Sequence, residues 1–187
     1  MRFALFIYPN FALFEVVLTS YFLTATGNEG MVVSTDGTPV RSMDGVPVSA
    51  DSRLSDLDLD GIDLFIVPGG LEKDIPDKKT LHDTLRRLNG KGAVIAAICG
   101  GPLQLGRAGL LTGRRFTSSI ASEHPDAFAG ATYVDENVVI DGNIVTAQPY
   151  GYVDLALELG KMFKVFKDER DYIETVQGFR EQRRPTC

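Results

Sequence analysis

The sequence predicts an α/β protein, a three-layer α/β/α sandwich around a mostly parallel sheet. Three observations carry this. The runs FALFIY at 3–8, LFIV at 64–67 and AVIAAI at 93–98 are short and wholly apolar, as in strands buried on both faces. Stretches with helical spacing of apolar residues separate them. The runs stop at turn signals: Pro9-Asn10, Pro68-Gly69-Gly70 and Gly100-Gly101-Pro102.

Each element follows in order. Phe3–Tyr8 is the first strand. Ala12–Ala25 is a helix, with Phe14, Val17, Leu18, Tyr21 and Phe22 at helical spacing, and Gly27-Asn28 ends it. Met31–Ser34 is a second strand. Pro39–Arg41 and Val46–Ser49 flank Asp44-Gly45 as a small hairpin. After the strand Leu64–Val67, Leu81, Leu85 and Leu88 mark one face of a helix. Ala93–Ile98 is the most apolar strand, and a helix, Gly101–Ala108, opens straight after it. Asn137–Ile140 and Asn143–Thr146 flank Asp141-Gly142, a late β-hairpin. Tyr152–Phe163 and Lys167–Gln182 are the C-terminal helices. No Pro/Ser/Gly-rich linker interrupts the pattern, so one domain over 1–187 is expected.

Composition narrows the function. Nineteen basic and 25 acidic residues leave a net charge of −6, which disfavours nucleic-acid and anionic-membrane partners. Arg180, Arg183 and Arg184 form one basic cluster and read as a solvated helix end. No signal peptide is recognisable and no apolar run approaches membrane-spanning length. A cytoplasmic protein with reduced thiols is the expectation, since Cys99 and Cys187 make no disulfide framework.

In such folds ligands sit at the carboxyl ends of the strands. The loops to inspect are Pro9–Leu13, Pro68–Leu71 and Cys99–Pro102. A dinucleotide fingerprint needs glycines after the first strand, and YPNFALF has none. That loop also lacks the hydroxyls of a flavin-phosphate site. Gly101 and Gly106 have P-loop spacing, but Arg107-Ala108 replaces the required lysine and hydroxyl. His82 and His124 are the only histidines, without a close ligand pair, so neither a metal nor another cofactor is expected.

Cys99 stands out. Ala97-Ile98-Cys99-Gly100-Gly101 matches a nucleophile elbow, with Cys for Ser and Ala for the first Gly. Small residues belong two before and two after the nucleophile, because the turn brings strand and helix backbones together. Pro102 suits the first helical turn. A thiol at a helix N-terminus is expected to have a lowered pKa. The Gly100 amide, and Gly70 after Gly69, are the candidate oxyanion donors. Glu15 is the only charged residue between Arg2 and Glu29, on a helix apolar nearly all round. A carboxyl there is expected to be buried and perturbed, and protonated at neutral pH against a Cys99 thiolate. His124, in Glu123-His124-Pro125, is a candidate base. His82 reads as a surface residue on a charged helix, and Cys187 as a frayed terminus.

These residues together resemble the ThiJ/PfpI superfamily, which includes the Parkinson's-disease protein family. The resemblance rests on YPNFALFEVV with Glu15, Val67-Pro68-Gly69-Gly70, and Ala96-Ala97-Ile98-Cys99-Gly100-Gly101-Pro102. It continues through Gly109-Leu110-Leu111-Thr112-Gly113, Glu123-His124-Pro125 and the Asp141–Thr146 hairpin. It implies a flavodoxin-like sandwich, a homodimer, and a reactive Cys99 hydrogen-bonded by Glu15 with His124 nearby. It also implies a small-molecule substrate, an electrophilic carbonyl or acyl compound handled by glyoxalase-, deglycase- or amidase-like chemistry. The alternatives are a non-catalytic thiol redox sensor or stress chaperone, and an isonitrile-hydratase-like lyase. The protease-like branch carries His directly after the nucleophile, where this chain has Gly100, so a conventional peptidase is not expected.

Overall fold

The computed structural model describes residues 1–184. Cys187, read as a terminal thiol, lies outside the described residues. In chain order the strands are β1 (Arg2–Ile7), β2 (Glu29–Ser34), β3 (Val40–Arg41), β4 (Pro47–Val48), β5 (Ser52–Arg53), β6 (Leu64–Val67), β7 (Val94–Ile98), β8 (Arg115–Phe116), β9 (Thr132–Tyr133), β10 (Val138–Asp141) and β11 (Ile144–Ala147). The α-helices are α1 (Phe14–Ala25), α2 (Lys78–Gly90), α3 (Pro102–Arg107), α4 (Tyr152–Met162) and α5 (Glu169–Thr175).

The main sheet has the order β10-β11-β7-β6-β1-β2-β5. Every neighbouring pair is parallel except β10 against β11, which closes the late hairpin. β6 and β7 are buried almost throughout, as continuous apolar runs in a two-sided sheet must be. The crossover from β1 to β2 runs one way along the sheet and that from β6 to β7 the other. Right-handed crossovers therefore put α1 and α2 on opposite faces. α4 packs beside α1, and α3 beside α2, so helices cover both faces. The reversal falls between β1 and β6. The crevice at their carboxyl ends is where this architecture places ligands.

Four expectations change. On α1 the stripe that faces the sheet is Glu15, Val16, Thr19, Phe22 and Leu23. Phe14, Val17 and Tyr21 are instead 49%, 50% and 57% exposed and share an outer apolar patch with Tyr152, Val153 and Phe179. The helix is apolar all round, so spacing alone did not say which face turns inward. At the C-terminus a single helix from 167 to 182 becomes α5 followed by a π-helical turn, Val176–Arg180. Arg180 there pairs with Asp154 at 3.0 Å, while Arg183 and Arg184 are exposed. His82 is not a free surface group: its Nε2 lies 2.9 Å from Oε1 of the fully buried Gln104. Among the described residues, no helix is long and apolar enough to cross a membrane.

Candidate active site

Three loops at the carboxyl ends of β1, β6 and β7 meet at Gly69. The first brings Glu15. Asn10, with φ 61°, turns the chain after β1, and Asp44 Oδ2 accepts from the Leu13 N–H at 2.8 Å at the entry to α1. Glu15 then points inward and is 2% exposed. Its Oε2 accepts a 2.8 Å hydrogen bond from the Gly69 N–H.

The second loop is Pro68-Gly69-Gly70. A Cβ on Gly69 would lie 2.5 Å from Cys99 Cβ, 2.6 Å from Glu15 Oε2 and 2.9 Å from Cys99 Sγ. Only glycine lets the three groups converge. Gly70, at φ 121°, bridges to Phe11, and its carbonyl faces Gly100. The Tyr8 hydroxyl donates to the Gly69 carbonyl at 2.7 Å, and the Ala12 N–H donates to the same oxygen at 2.9 Å. Tyr8 is 2% exposed, and burial, then Glu15 and Cys99, push its phenol well up, so it remains a donor.

The third loop is the elbow itself. Cys99 sits directly after β7 with φ 62°, a left-handed conformation that costs a non-glycine residue on the order of 1–3 kcal/mol. Surrounding bonds hold it there. Its N–H donates to Ala147 O at 2.8 Å, and its carbonyl accepts from Ser118 Oγ at 2.8 Å and from the Ser119 N–H at 3.2 Å. Ala97 is fully buried in β7, opposite Val67 and Thr146. A Cβ on Gly101 would sit 2.5 Å from Val67 O, which explains the small residue two positions after the cysteine. Pro102 opens α3, as expected.

Around the sulfur, the Ser119 hydroxyl donates to Sγ at 3.4 Å, the Gly100 N–H hydrogen-bonds it, and the thiol hydrogen-bonds Glu15. Burial raises Glu15 from its ordinary 4.5 to about 6, against the lowering effect of the Gly69 and Cys99 hydrogen bonds. Burial also pushes the Cys99 thiol up, and the neighbouring Glu15 carboxylate pushes it further. A depressed thiol pKa is therefore not what the geometry gives. In the resting pair the proton sits on sulfur, and Glu15, held by the Gly69 N–H, carries the charge. The reverse arrangement expected from sequence is the one reached by proton transfer from Sγ to Glu15.

His124 is half-buried in the loop after Ser119, its carbonyl accepting from the Ala127 N–H at 3.1 Å. Among the described residues no hydrogen bond or ion pair joins its ring to Cys99, Glu15 or Ser119. The side chain that this loop brings to the sulfur is Ser119, five positions earlier. Ser119 and Tyr8 were not singled out by sequence. Tyr8 ends an apolar strand, and Ser119 belongs to a Thr-Ser-Ser run without a motif of its own. No group of three His, Cys, Asp or Glu suited to a metal occurs among the described residues.

A strained cysteine elbow beside a buried carboxyl, at the reversal point of a parallel α/β sheet, defines a class of cysteine-bearing sandwich proteins. The chain belongs to the DJ-1/PfpI family, whose model matches residues 1–162. It is 30% identical over 139 residues to the deglycase TK1284 of Thermococcus kodakarensis, covering 73% of this chain and 83% of that protein. It is 29% identical over 157 residues to the deglycase PfpI of Pyrococcus furiosus, covering 82% and 92%. Among solved structures it is similar to the DJ-1 superfamily protein Atu0886 of Agrobacterium tumefaciens, with TM-score 0.87 and 30% identity over 98% of this chain and 100% of that one. Drosophila melanogaster DJ-1beta gives TM-score 0.81 at 26% identity over 95% and 96%.

Proposed function

We propose that the protein is a cysteine-dependent enzyme of the deglycase or glyoxalase type, acting on small electrophilic carbonyl compounds. The observation that carries the proposal is the convergence of Cys99 Sγ, the buried Glu15 carboxyl and the Ser119 hydroxyl on Gly69 and the elbow. Similarity to proteins named deglycases supports it.

The chemistry follows from the proton inventory. Glu15, raised to about 6, takes the proton from Cys99 Sγ, as a carboxyl tuned toward neutrality does well. The sulfur lone pair forms the C–S bond, and the carbonyl π pair moves onto oxygen. The Gly70 and Gly100 amides hold that oxygen, and Glu15 returns the same proton to it. The product is a hemithioacetal with no net proton change. For an α-dicarbonyl substrate, shifting the carbon-bound proton to the adjacent carbonyl carbon gives a 2-hydroxy thioester. Water then releases the hydroxy acid and regenerates the thiol. Ser119 donates to sulfur whenever it is anionic.

Turnover of methylglyoxal tests this. Wild type is expected to convert it, Cys99→Ser to be inactive, and Glu15→Gln to be slower by about 10²-fold or more. An equal rate in Cys99→Ser would refute the reading. Reactivity at Cys99 without turnover would favour the thiol-sensor alternative. We further propose that the homodimer uses the outer patch of Phe14, Val17 and Tyr21, because contiguous exposed apolar surface marks an interaction site. Tyr21→Lys should then shift the species seen in sedimentation to monomer.

A further inference from the structure

Beside the thiol lies a cavity of about 500 Å³, lined by Phe116, Phe128, Tyr133, Pro125, Ser119 and Ser122 among others. Its size falls within the range of sites that enclose whole organic ligands, about 300–1,000 Å³. A two- or three-carbon carbonyl compound would leave most of it empty. Three of the lining residues are aromatic. Phe116 and Phe128 stack with centroids 4.5 Å apart at 15°, and Tyr133 meets Phe116 edge-on at 5.9 Å. Tyr133 is fixed by its hydroxyl, which accepts from Gln148 Nε2 at 3.2 Å. No Asp, Glu, Lys or Arg lines the cavity among the described residues. Ser119 belongs to both places: its hydroxyl donates to Cys99 Sγ and its side chain borders the cavity.

We infer that this cavity receives the substituent of the carbonyl substrate, and that it favours an uncharged aryl or bulky alkyl group over a hydrogen, a methyl or a charged amino-acid side chain. The inference rests on the proposed function for the site but selects the substrate class within it. Because Ser119 touches Cys99 Sγ and also borders the cavity, a carbonyl carbon bound at sulfur places its substituent at the edge of the cavity that holds the Phe116–Phe128 stack. An aryl ring there gains offset or edge contacts with rings already in place. A carboxylate or ammonium there would lose water and find no opposite charge to replace it, so the cavity selects against both.

The test separates the pocket from turnover by using irreversible thiol reagents. In a Cys187→Ser background, Cys99 is alkylated by phenacyl bromide or by bromoacetone. In each case a C–S bond forms, the C–Br bond breaks and bromide leaves. The ratio of the two rates is compared with the ratio for glutathione. The wild-type ratio is expected to exceed that of glutathione by roughly tenfold, as pocket discrimination of a large apolar group allows. Ala131→Leu and Ala121→Leu, each of which enlarges a lining side chain, should each return the ratio toward that of glutathione. A wild-type ratio equal to that of glutathione would overturn the pocket, as would both variants keeping the wild-type ratio. Turnover is measured in parallel with phenylglyoxal and methylglyoxal. Selective alkylation without turnover of either leaves the pocket standing and removes the enzyme reading. Equal turnover of both with unselective alkylation does the reverse.

Discussion

Glu15→Gln isolates the contribution of one buried carboxyl to folding. In the native protein Glu15 titrates at about 6 instead of 4.5. A shift of that size corresponds to about 2 kcal/mol of differential stability. The sign follows from proton counts. Between the two values the folded chain holds a proton that the unfolded chain has released. Glu15 therefore favours folding most below about pH 4.5, and that contribution is lost as pH rises through about 6. The amide introduced by Glu15→Gln offers an oxygen to the Gly69 N–H and a donor toward sulfur, and it does not titrate. The variant's stability relative to wild type should thus rise by about 2 kcal/mol between pH 4 and pH 7. Cys99, pushed upward, adds no titration in that window. Urea unfolding of both proteins at pH 4, 5, 6 and 7 reads the difference, and carboxyls common to both cancel. A difference that stays flat across the range would refute burial as the cause of the shift.

Other perturbations follow from the same geometry. Tyr8→Phe removes a 2.7 Å donor to Gly69 O and should cost about 1 kcal/mol by urea unfolding, with a moved pH midpoint for Cys99 alkylation. Gly69→Ala drives a methyl into Cys99 Cβ and Glu15 Oε2, and should cost about 1–3 kcal/mol while abolishing the pH-dependent stability difference that Glu15→Gln otherwise makes. Ser119→Ala should raise the alkylation midpoint of Cys99, because the lost hydroxyl favours thiolate, whereas His124→Ala should leave it in place. Equal effects of the two loop variants would contradict the assignment of the sulfur contact to Ser119.

The fold was legible wherever one physical signal was unambiguous. Two-sided burial makes the strands at 3–8, 64–67 and 93–98 continuous apolar runs, and Asp141-Gly142 fixes a hairpin. Cys99 and Glu15 were legible for a related reason: each breaks a local pattern that packing alone would not break. What sequence left open is long-range. Nothing local says that Gly69 must be bare on the side facing both Cys99 and Glu15. The face of α1 that turns inward depends on the sheet beneath it, and the helix is apolar on both sides. His124 attracted attention as a candidate base in Glu123-His124-Pro125, but reach to the sulfur depends on the path of the 117–130 loop. That path is set by Thr117 N–H donating to Thr146 Oγ1 at 2.9 Å and by Gln148 Nε2 donating to Thr117 Oγ1 at 2.7 Å, and it presents Ser119. The proton was assigned to Glu15 because the thiol was expected to feel mainly the helix end. Burial acts on sulfur as well, and α3 is only six residues long.

The pairing of Cys99 with Glu15 is tested most directly by the rate of Cys99 alkylation by iodoacetamide against pH, in a Cys187→Ser background, for the parent and for Glu15→Gln. The account predicts that the parent profile has two inflections, one near 6 where Glu15 ionises and one above the ordinary thiol value of 9.0. Glu15→Gln should lose the lower inflection and bring the upper one down, because the carboxylate that opposed thiolate formation is gone. Identical single titrations in both proteins at the ordinary thiol value would show that Cys99 neither feels burial nor touches Glu15, and would contradict the account.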